Sequence, residues 1–287
     1  MVDEMKILIT GARGQLGMDI QELCREKSIE YIAAGSKDLD ITRLPSVRSY
    51  VGRTRPDVII NCAAYNAVDR AESEWKKAFM VNGSGVRNLS IAANEVHAGI
   101  VHYSTDYVFD GKSDRPYTIG DTPSPISMYG KSKALGETMV RDIAYRFLLI
   151  RTSWVFGTGN DNFPKKIISL SREKSEIKVV TDQVSSPTYT KDLAGATLEL
   201  LETGGSGIYH VTNTGQCSRY EWAKFILQEM GWTGSIHEAT SVEFPTPAIR
   251  PGFSVLDDFG TPELLGHAMP DWKDATRRFL KEMEVLA

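Results

Sequence analysis

Cysteine is scarce in this chain: three residues in 287, and Cys24, Cys62 and Cys217 are too far apart to form a Cys-x-x-Cys pair. A disulfide framework and a structural zinc are therefore not expected, and a reducing cytoplasm fits. The five histidines, His97, His102, His210, His237 and His267, show no metal-ligand spacing. No apolar run is long enough to cross a bilayer. Excess positive charge is missing too, and a net charge of −4 argues against a surface for nucleic acid or another polyanion. There are no internal repeats and no low-complexity segments. The opening Met1-Val-Asp-Glu-Met5 has neither the basic nor the apolar region of a signal peptide and reads as a short polar lead-in to a strand. What remains is an ordinary soluble composition, 41% hydrophobic and 24% charged, long enough for one large α/β unit or two small domains.

The first half alternates short apolar runs with helical patterns. Strands are expected at 6–10, 31–34, 57–61, 99–104 and 146–151. Helices are expected at 18–27, 45–54, 74–97 and 132–144, the last continuing a helix that begins near Tyr129. Such alternation implies parallel strands joined by helical crossovers, hence an α/β, doubly wound, Rossmann-like sheet. Beyond Arg151 the rhythm is less regular: helices at 163–172, 191–203, 219–230 and 271–283, strands at 178–181 and 207–211, and a proline-rich loop at 244–252. The expected division is a dinucleotide-binding domain at 1–157, rejoined by roughly 184–215, and a smaller, mainly substrate-binding C-terminal region at 158–287.

Gly11-Ala-Arg-Gly14-Gln-Leu-Gly17 follows a strand and opens a helix. There glycines let backbone approach a pyrophosphate, and the helix N-terminus supplies amide donors. The second strand ends Ala34-Gly35-Ser36-Lys37 with no acid for ribose hydroxyls, so Ser36 and Lys37 suit a 2′-phosphate and favour NADPH over NADH; a solvated loop charge is the plainer reading of Lys37. Asp40 and Ile41 follow, beside an adenine or as loop packing. Asn61-Cys-Ala-Ala-Tyr-Asn-Ala-Val-Asp69 leaves small residues at a third strand's end, with room for a flat ligand or simply tight packing. Tyr103-Ser-Thr-Asp-Tyr107 follows the fourth strand. Thr105 is the hydroxyl suited to hold a carbonyl, with Ser104 turned into the sheet and Asp106 holding a substrate hydroxyl or capping a turn. Tyr129 and Lys133 lie four apart on one helix face. A free phenol, with a pKa of roughly 10, is a poor acid; a nearby ammonium lowers that value and suits the pair to protonating a carbonyl oxygen. Trp154 would stack on a sugar or base, or be buried. Arg250, in the proline-stiffened loop, fits a phosphate or is a surface arginine.

Together these segments resemble the dTDP-4-dehydrorhamnose reductase family of the extended short-chain dehydrogenase/reductase superfamily. The residues that carry the likeness are Gly14-Gln-Leu-Gly17, Asn61 to Glu72, His102 to Phe109, Tyr129-Gly-Lys-Ser-Lys133, Arg151-Thr-Ser-Trp154 and Pro245 to Gly252, spread over nearly the whole chain. The resemblance implies reduction of the C4 ketone of dTDP-6-deoxy-L-lyxo-4-hexulose to dTDP-L-rhamnose with NADPH, or NADH. It implies Tyr129 as proton donor, Lys133 orienting the nicotinamide ribose, and Thr105 completing the catalytic group. Gly14, Gln15, Leu16, Asp40, Ile41, Ala64, Tyr65, Asn66, Tyr103 and Lys133 would contact the cofactor; Asp106 and Trp154 the sugar nucleotide; Arg250 its phosphates. Some members of the family bind magnesium between acids at a dimer interface. Asp19 matches one such acid, but Thr188-Tyr-Thr-Lys191 lacks another, so no metal is expected, and the chain is a monomer or a homodimer. An epimerase or dehydratase of the superfamily is a competing reading, although a dehydratase needs an Asp-Glu pair where Asp106-Tyr107 stands. A non-catalytic regulatory subunit, like the methionine adenosyltransferase β subunit, is another.

Overall fold

The computed structural model describes residues 5–286; of the expected polar lead-in, residues 1–4 lie outside them. In chain order the elements of the first half are β1 (Ile7–Thr10), α1 (Gln15–Glu26), β2 (Tyr31–Ala34), α2 (Leu44–Thr54), β3 (Val58–Asn61), α3 (Val68–Ala71), α4 (Trp75–Phe79), α5 (Val86–Glu95), β4 (Gly99–Thr105), α6 (Met128–Ile143) and β5 (Phe147–Thr152). There follow β6 (Val155–Phe156), α7 (Phe163–Glu173), β7 (Glu176–Val180), β8 (Val184–Ser185), β9 (Thr188–Tyr189), α8 (Thr190–Glu202), β10 (Gly207–His210), β11 (Cys217–Ser218), α9 (Arg219–Glu229), β12 (Ser235–Ala239), α10 (Thr261–Leu265) and α11 (Trp272–Glu282).

The main sheet runs β2-β1-β3-β4-β5-β10, every neighbouring pair parallel. Strand alternation divides its side chains between two layers. Ile7, Ile9 and Ile60 join Ile20 of α1 and Leu193 of α8 on one face. Leu8 and Ile59 join Val47 of α2, Leu89 of α5 and Val140 of α6 on the other. The chain leaves β1 towards β2 on one side and returns to β3 on the opposite side, so the sheet's topological switch falls between β1 and β3, where open α/β sheets bind ligands. A second core, built on Phe156, Ile167, Ile177, Trp222, Ile226 and Phe279, gathers α7, α9, α11 and β7.

Three points of comparison with the sequence expectations matter for the site. The expected helix at 74–97 is broken: a π-helical turn over Met80–Gly85 separates α4 from α5. The turn buries Asn82, whose Oδ1 accepts from the Tyr65 amide (2.8 Å) while its Nδ2 donates to the Tyr65 carbonyl (3.1 Å) and to Ser132 Oγ (2.9 Å). A widened turn directs this side chain towards partners that a regular helix offers no reason to meet, and such bulges recur at functional sites. The Tyr129 helix starts at Met128, capped by Ser127 Oγ accepting from the Gly130 amide. Finally, the short strands β6, β8, β9, β11 and β12 and the five-residue α10 carry no clear periodic signal in the sequence.

Candidate active site

The switch point is built from glycine and uncapped amides. Gly11 has φ +64°, and a Cβ there would lie 2.5 Å from the Ala63 nitrogen; a Cβ on Gly17 would lie 2.7 Å from the Gly11 carbonyl oxygen. Only glycine satisfies both the left-handed φ and this approach of the turn to the end of β3. The α1 N-terminus that follows has no side-chain cap and no acid in its first turn, so its free amides remain available to an anion. Thr10 Oγ1 donates to Asn61 Oδ1 (2.7 Å), and Asn61 Nδ2 meets His102 Nδ1 (3.1 Å), tying the carboxyl ends of β1, β3 and β4 together. This glycine cradle fits a dinucleotide's pyrophosphate. Gln15 and Leu16 open α1; Ala64 and Tyr65 line the loop across from it, with Asn66 exposed. Ser36 and Lys37 are exposed at the end of β2. Arg13 joins them, because its Nε would lie 3.0 Å from a Cβ on Gly35. The sequence reading missed Arg13, although it sits inside the glycine motif.

The proton-handling group lies at the carboxyl edge of β4. Thr105 ends the strand, its Oγ1 donating to Asp106 Oδ1 (3.0 Å) and accepting from the Tyr107 amide (3.2 Å). Tyr129 stands one residue into α6, its ring edge-on to Tyr107 with centroids 5.8 Å apart. Close packing brings α6 there: a Cβ on Gly130 would lie 2.2 Å from the Tyr107 carbonyl oxygen. Lys133 is buried and donates to the Tyr103 carbonyl oxygen. Burial pushes the Tyr129 pKa up, helped by the Asp106 charge, while the Thr105 hydroxyl pulls it down; Lys133 is not among the groups that act on it. The expected lowering of the phenol pKa by its helical neighbour is therefore not found: the Lys133 ammonium is spent on the Tyr103 carbonyl, and burial sets the direction of the shift. Burial also pushes Lys133 down to about 8, with Glu137 and Cys62 opposing. Ser104, as expected, faces the sheet interior, donating to Glu137 Oε1 at 2.5 Å.

Other predicted positions are redirected. The Tyr103 ring lies in the layer of α1 and α8, where its hydroxyl meets Thr197 Oγ1 of α8 at 2.8 Å; only its carbonyl reaches the site, accepting from Lys133. Ile41 packs inward against Gly85 in the core rather than facing a ligand, and Asp40 caps its own turn through Thr42. Asp106 is 2% exposed, its carboxylate taken by Thr105 and by Ser254 Oγ at 2.6 Å, so it is not offered to a sugar. Trp154 adopts φ +44°, a strained conformation for a bulky residue. Its ring lies parallel to Trp222 (centroids 5.8 Å apart) and carries the Arg219 guanidinium at 3.5 Å, so its stacking partner belongs to the protein itself. Arg250 lines a cavity of about 1310 Å³ next to Phe163, Lys166 and Arg219, yet its Nη1 and Nη2 grip both Asp69 oxygens, at 3.0 and 2.9 Å. The sequence reading missed Arg219 and Asn82 as well, because no motif marks either.

Among the described residues, no group of three or more acids and histidines is placed to hold a metal ion. Near Asp19, Lys191 pairs with Glu282 (3.0 Å) and Glu22 (3.8 Å). Among the described residues, no helix is long and apolar enough to cross a membrane.

A parallel sheet with a glycine cradle at its switch point and a Tyr-x-x-x-Lys pair beside a strand-end threonine defines an oxidoreductase of the nicotinamide-dependent, Rossmann type. The model of the RmlD substrate binding domain family matches residues 5–285. The chain is 41% identical, over 96% of its length and 97% of the relative's, to the spore coat polysaccharide biosynthesis protein SpsK of Bacillus subtilis. It is 36% identical to the dTDP-4-dehydrorhamnose reductase of Burkholderia thailandensis, over 97% and 99% of the two chains. The crystal structure of dTDP-4-dehydrorhamnose reductase from Bacillus anthracis in complex with NADP superposes with a TM-score of 0.93 at 39% identity, covering 97% of this chain and 99% of that one. The chain belongs to the dTDP-4-dehydrorhamnose reductase family.

Proposed function

We propose that this chain is the cytoplasmic, NADPH-dependent reductase that converts the C4 ketone of dTDP-6-deoxy-L-lyxo-4-hexulose to the alcohol of dTDP-L-rhamnose, with NADH as the alternative donor. The observation that carries the reading is the grouping of Thr105, Tyr129 and Lys133 at the carboxyl edge of β4, on the same edge of the sheet as the glycine cradle. Gly11, Gly14, Gln15, Leu16 and Gly17 hold the pyrophosphate, Arg13, Ser36 and Lys37 the 2′-phosphate, and Ala64 to Asn66 border the cofactor cleft. The bound dinucleotide supplies hydride to the carbonyl carbon. Tyr129 supplies the proton to the oxygen. Its burial keeps it protonated at neutral pH, as a donor must be. It need not be a strong acid: the acceptor is an alkoxide, comparable in basicity to hydroxide, whose parent water ionises near roughly 16. Thr105, its hydroxyl rotated from Asp106 to the substrate oxygen, holds that oxygen in reach of the phenol, and Lys133, anchored on the Tyr103 carbonyl, orients the ribose. Residues 158–287 are mainly the substrate-binding region, with α8 and β10 returning to the sheet.

The test supplies dTDP-4-keto-6-deoxyhexose with its epimerase and follows NADPH loss. Tyr129→Phe should cut turnover by about 10²–10⁴-fold and leave NADPH binding intact; wild-type turnover in that variant would sink the acid role. A wild-type protein that binds NADPH but consumes none here favours the regulatory-subunit reading instead.

A further inference from the structure

Four arginines are not exposed: Arg151, Arg219, Arg250 and Arg278. Three face carboxylates: Arg151 meets Glu137, Arg250 meets Asp69 and Arg278 meets Asp192. Arg219 forms no ion pair among the described residues. Its guanidinium instead packs 3.5 Å from the centroid of Trp154 and 4.7 Å from that of Phe163, on the wall of the 1310 Å³ cavity. Drawing a cation out of water without an anion costs free energy, of which aromatic rings recover part. Desolvation lowers its pKa only to about 10, so the charge persists at neutral pH, with Asp106 and Tyr107 acting on it from a distance. Packing alone gives no reason for a charge at this position, and the strained Trp154 beneath it is a second feature that folding alone does not call for. Arg250 opens on the same cavity, but Asp69 already compensates it. The cavity is large enough for a nucleotide sugar, and the exposed apolar side chains of Phe244 and Ile249 lie on its wall.

We propose that Arg219, held by Trp154 and Phe163, is a diphosphate-binding residue of this cavity, a cation that no carboxylate of the described residues pairs. The inference rests on the nucleotide-sugar reading above. A planar guanidinium fixed at one orientation suits two phosphoryl oxygens at once.

The test measures binding of dTDP and of thymidine to the full chain by calorimetry, for wild type, Arg219→Gln and Arg219→Lys. Arg219→Gln should raise the dTDP dissociation constant about 10- to 100-fold and leave thymidine affinity unchanged. Arg219→Lys, which keeps the charge but not the planar fork, should recover part of the loss. In turnover, KM for the sugar nucleotide should rise with kcat retained. Equal dTDP affinity in wild type and Arg219→Gln overturns the role of Arg219 and leaves the nucleotide-sugar reading standing. Parallel loss of dTDP and thymidine binding in both variants also overturns it, since a packing role alone predicts that pattern. A wild-type chain that binds no dTDP overturns both readings.

Discussion

Glutamine in place of Glu137 tests how α6 is held over the sheet. Glu137 and Arg151 form a pair whose side chains are 2% and 1% exposed. Glu137 Oε1 accepts from Arg151 Nε at 2.9 Å and Oε2 from Nη2 at 2.8 Å. The other groups around the guanidinium cannot replace the carboxylate. Phe109 offers a ring face at 5.1 Å, and His210, lowered to about 3 by burial and by the Arg151 charge, is neutral at pH 7. Glu137→Gln therefore strands a buried cation and turns an amide donor towards Arg151, at a cost of about 3–5 kcal/mol. Against a total stability of about 5–15 kcal/mol, that is a large fraction. With a urea slope of about 3 kcal/mol/M for a chain of this size, the midpoint should fall by about 1–1.7 M. Removing both charges is a different perturbation. Glu137→Leu with Arg151→Met leaves no unpaired ion and should lie within about 2 kcal/mol of wild type, less what Ser104 loses as a donor. Equilibrium urea unfolding followed by tryptophan fluorescence reads all three proteins. A loss below about 1 kcal/mol in the single variant, or a double variant less stable than the single one, would refute the account of the pair.

Asn82→Ala should cost about 2–4 kcal/mol, because the Tyr65 amide and carbonyl and Ser132 Oγ all lose a buried partner; it should also weaken NADPH binding by loosening the Tyr65 loop, and unfolding and calorimetry unchanged from wild type would contradict this. Asp106 is raised from 3.8 to about 6 by burial. Between those values the folded chain keeps a proton that the unfolded chain has released, so this group's contribution falls as pH rises through the window, by up to roughly 3 kcal/mol. Urea midpoints of wild type should therefore drop from about pH 4.5 to about pH 7 by more than those of Asp106→Asn; equal drops would show that Asp106 titrates normally. Lys133, lowered to about 8 by burial, should appear in NMR of the cofactor-free protein as one ammonium titrating well below the other lysines and missing from Lys133→Met; a lysine set titrating uniformly near about 10.4 would count against it.

Much of this protein was legible in residue order. The alternation of apolar runs and helical patterns determines a parallel sheet, because strands buried on both faces read as continuous hydrophobic runs. Gly11 marks the tight turn after β1 because a left-handed φ and a close approach to Ala63 admit only glycine there. The four-residue spacing of Tyr129 and Lys133 places both on one helix face. Each of these rests on local backbone geometry. The sequence could not show what depends on partners distant along the chain. Arg151 stands in a motif that looked functional, and its guanidinium is buried on Glu137. Tyr103 sits two residues before Thr105, and its ring turns to α8. Asp106 spends its carboxylate on Ser254, 148 residues away. Arg250 is held by Asp69, while Arg219, unmarked in the sequence, is half-buried on aromatic rings and forms no ion pair among the described residues. Charges and hydroxyls act through whatever lies within a few ångströms, and in this fold the tertiary structure alone decides which residues those are.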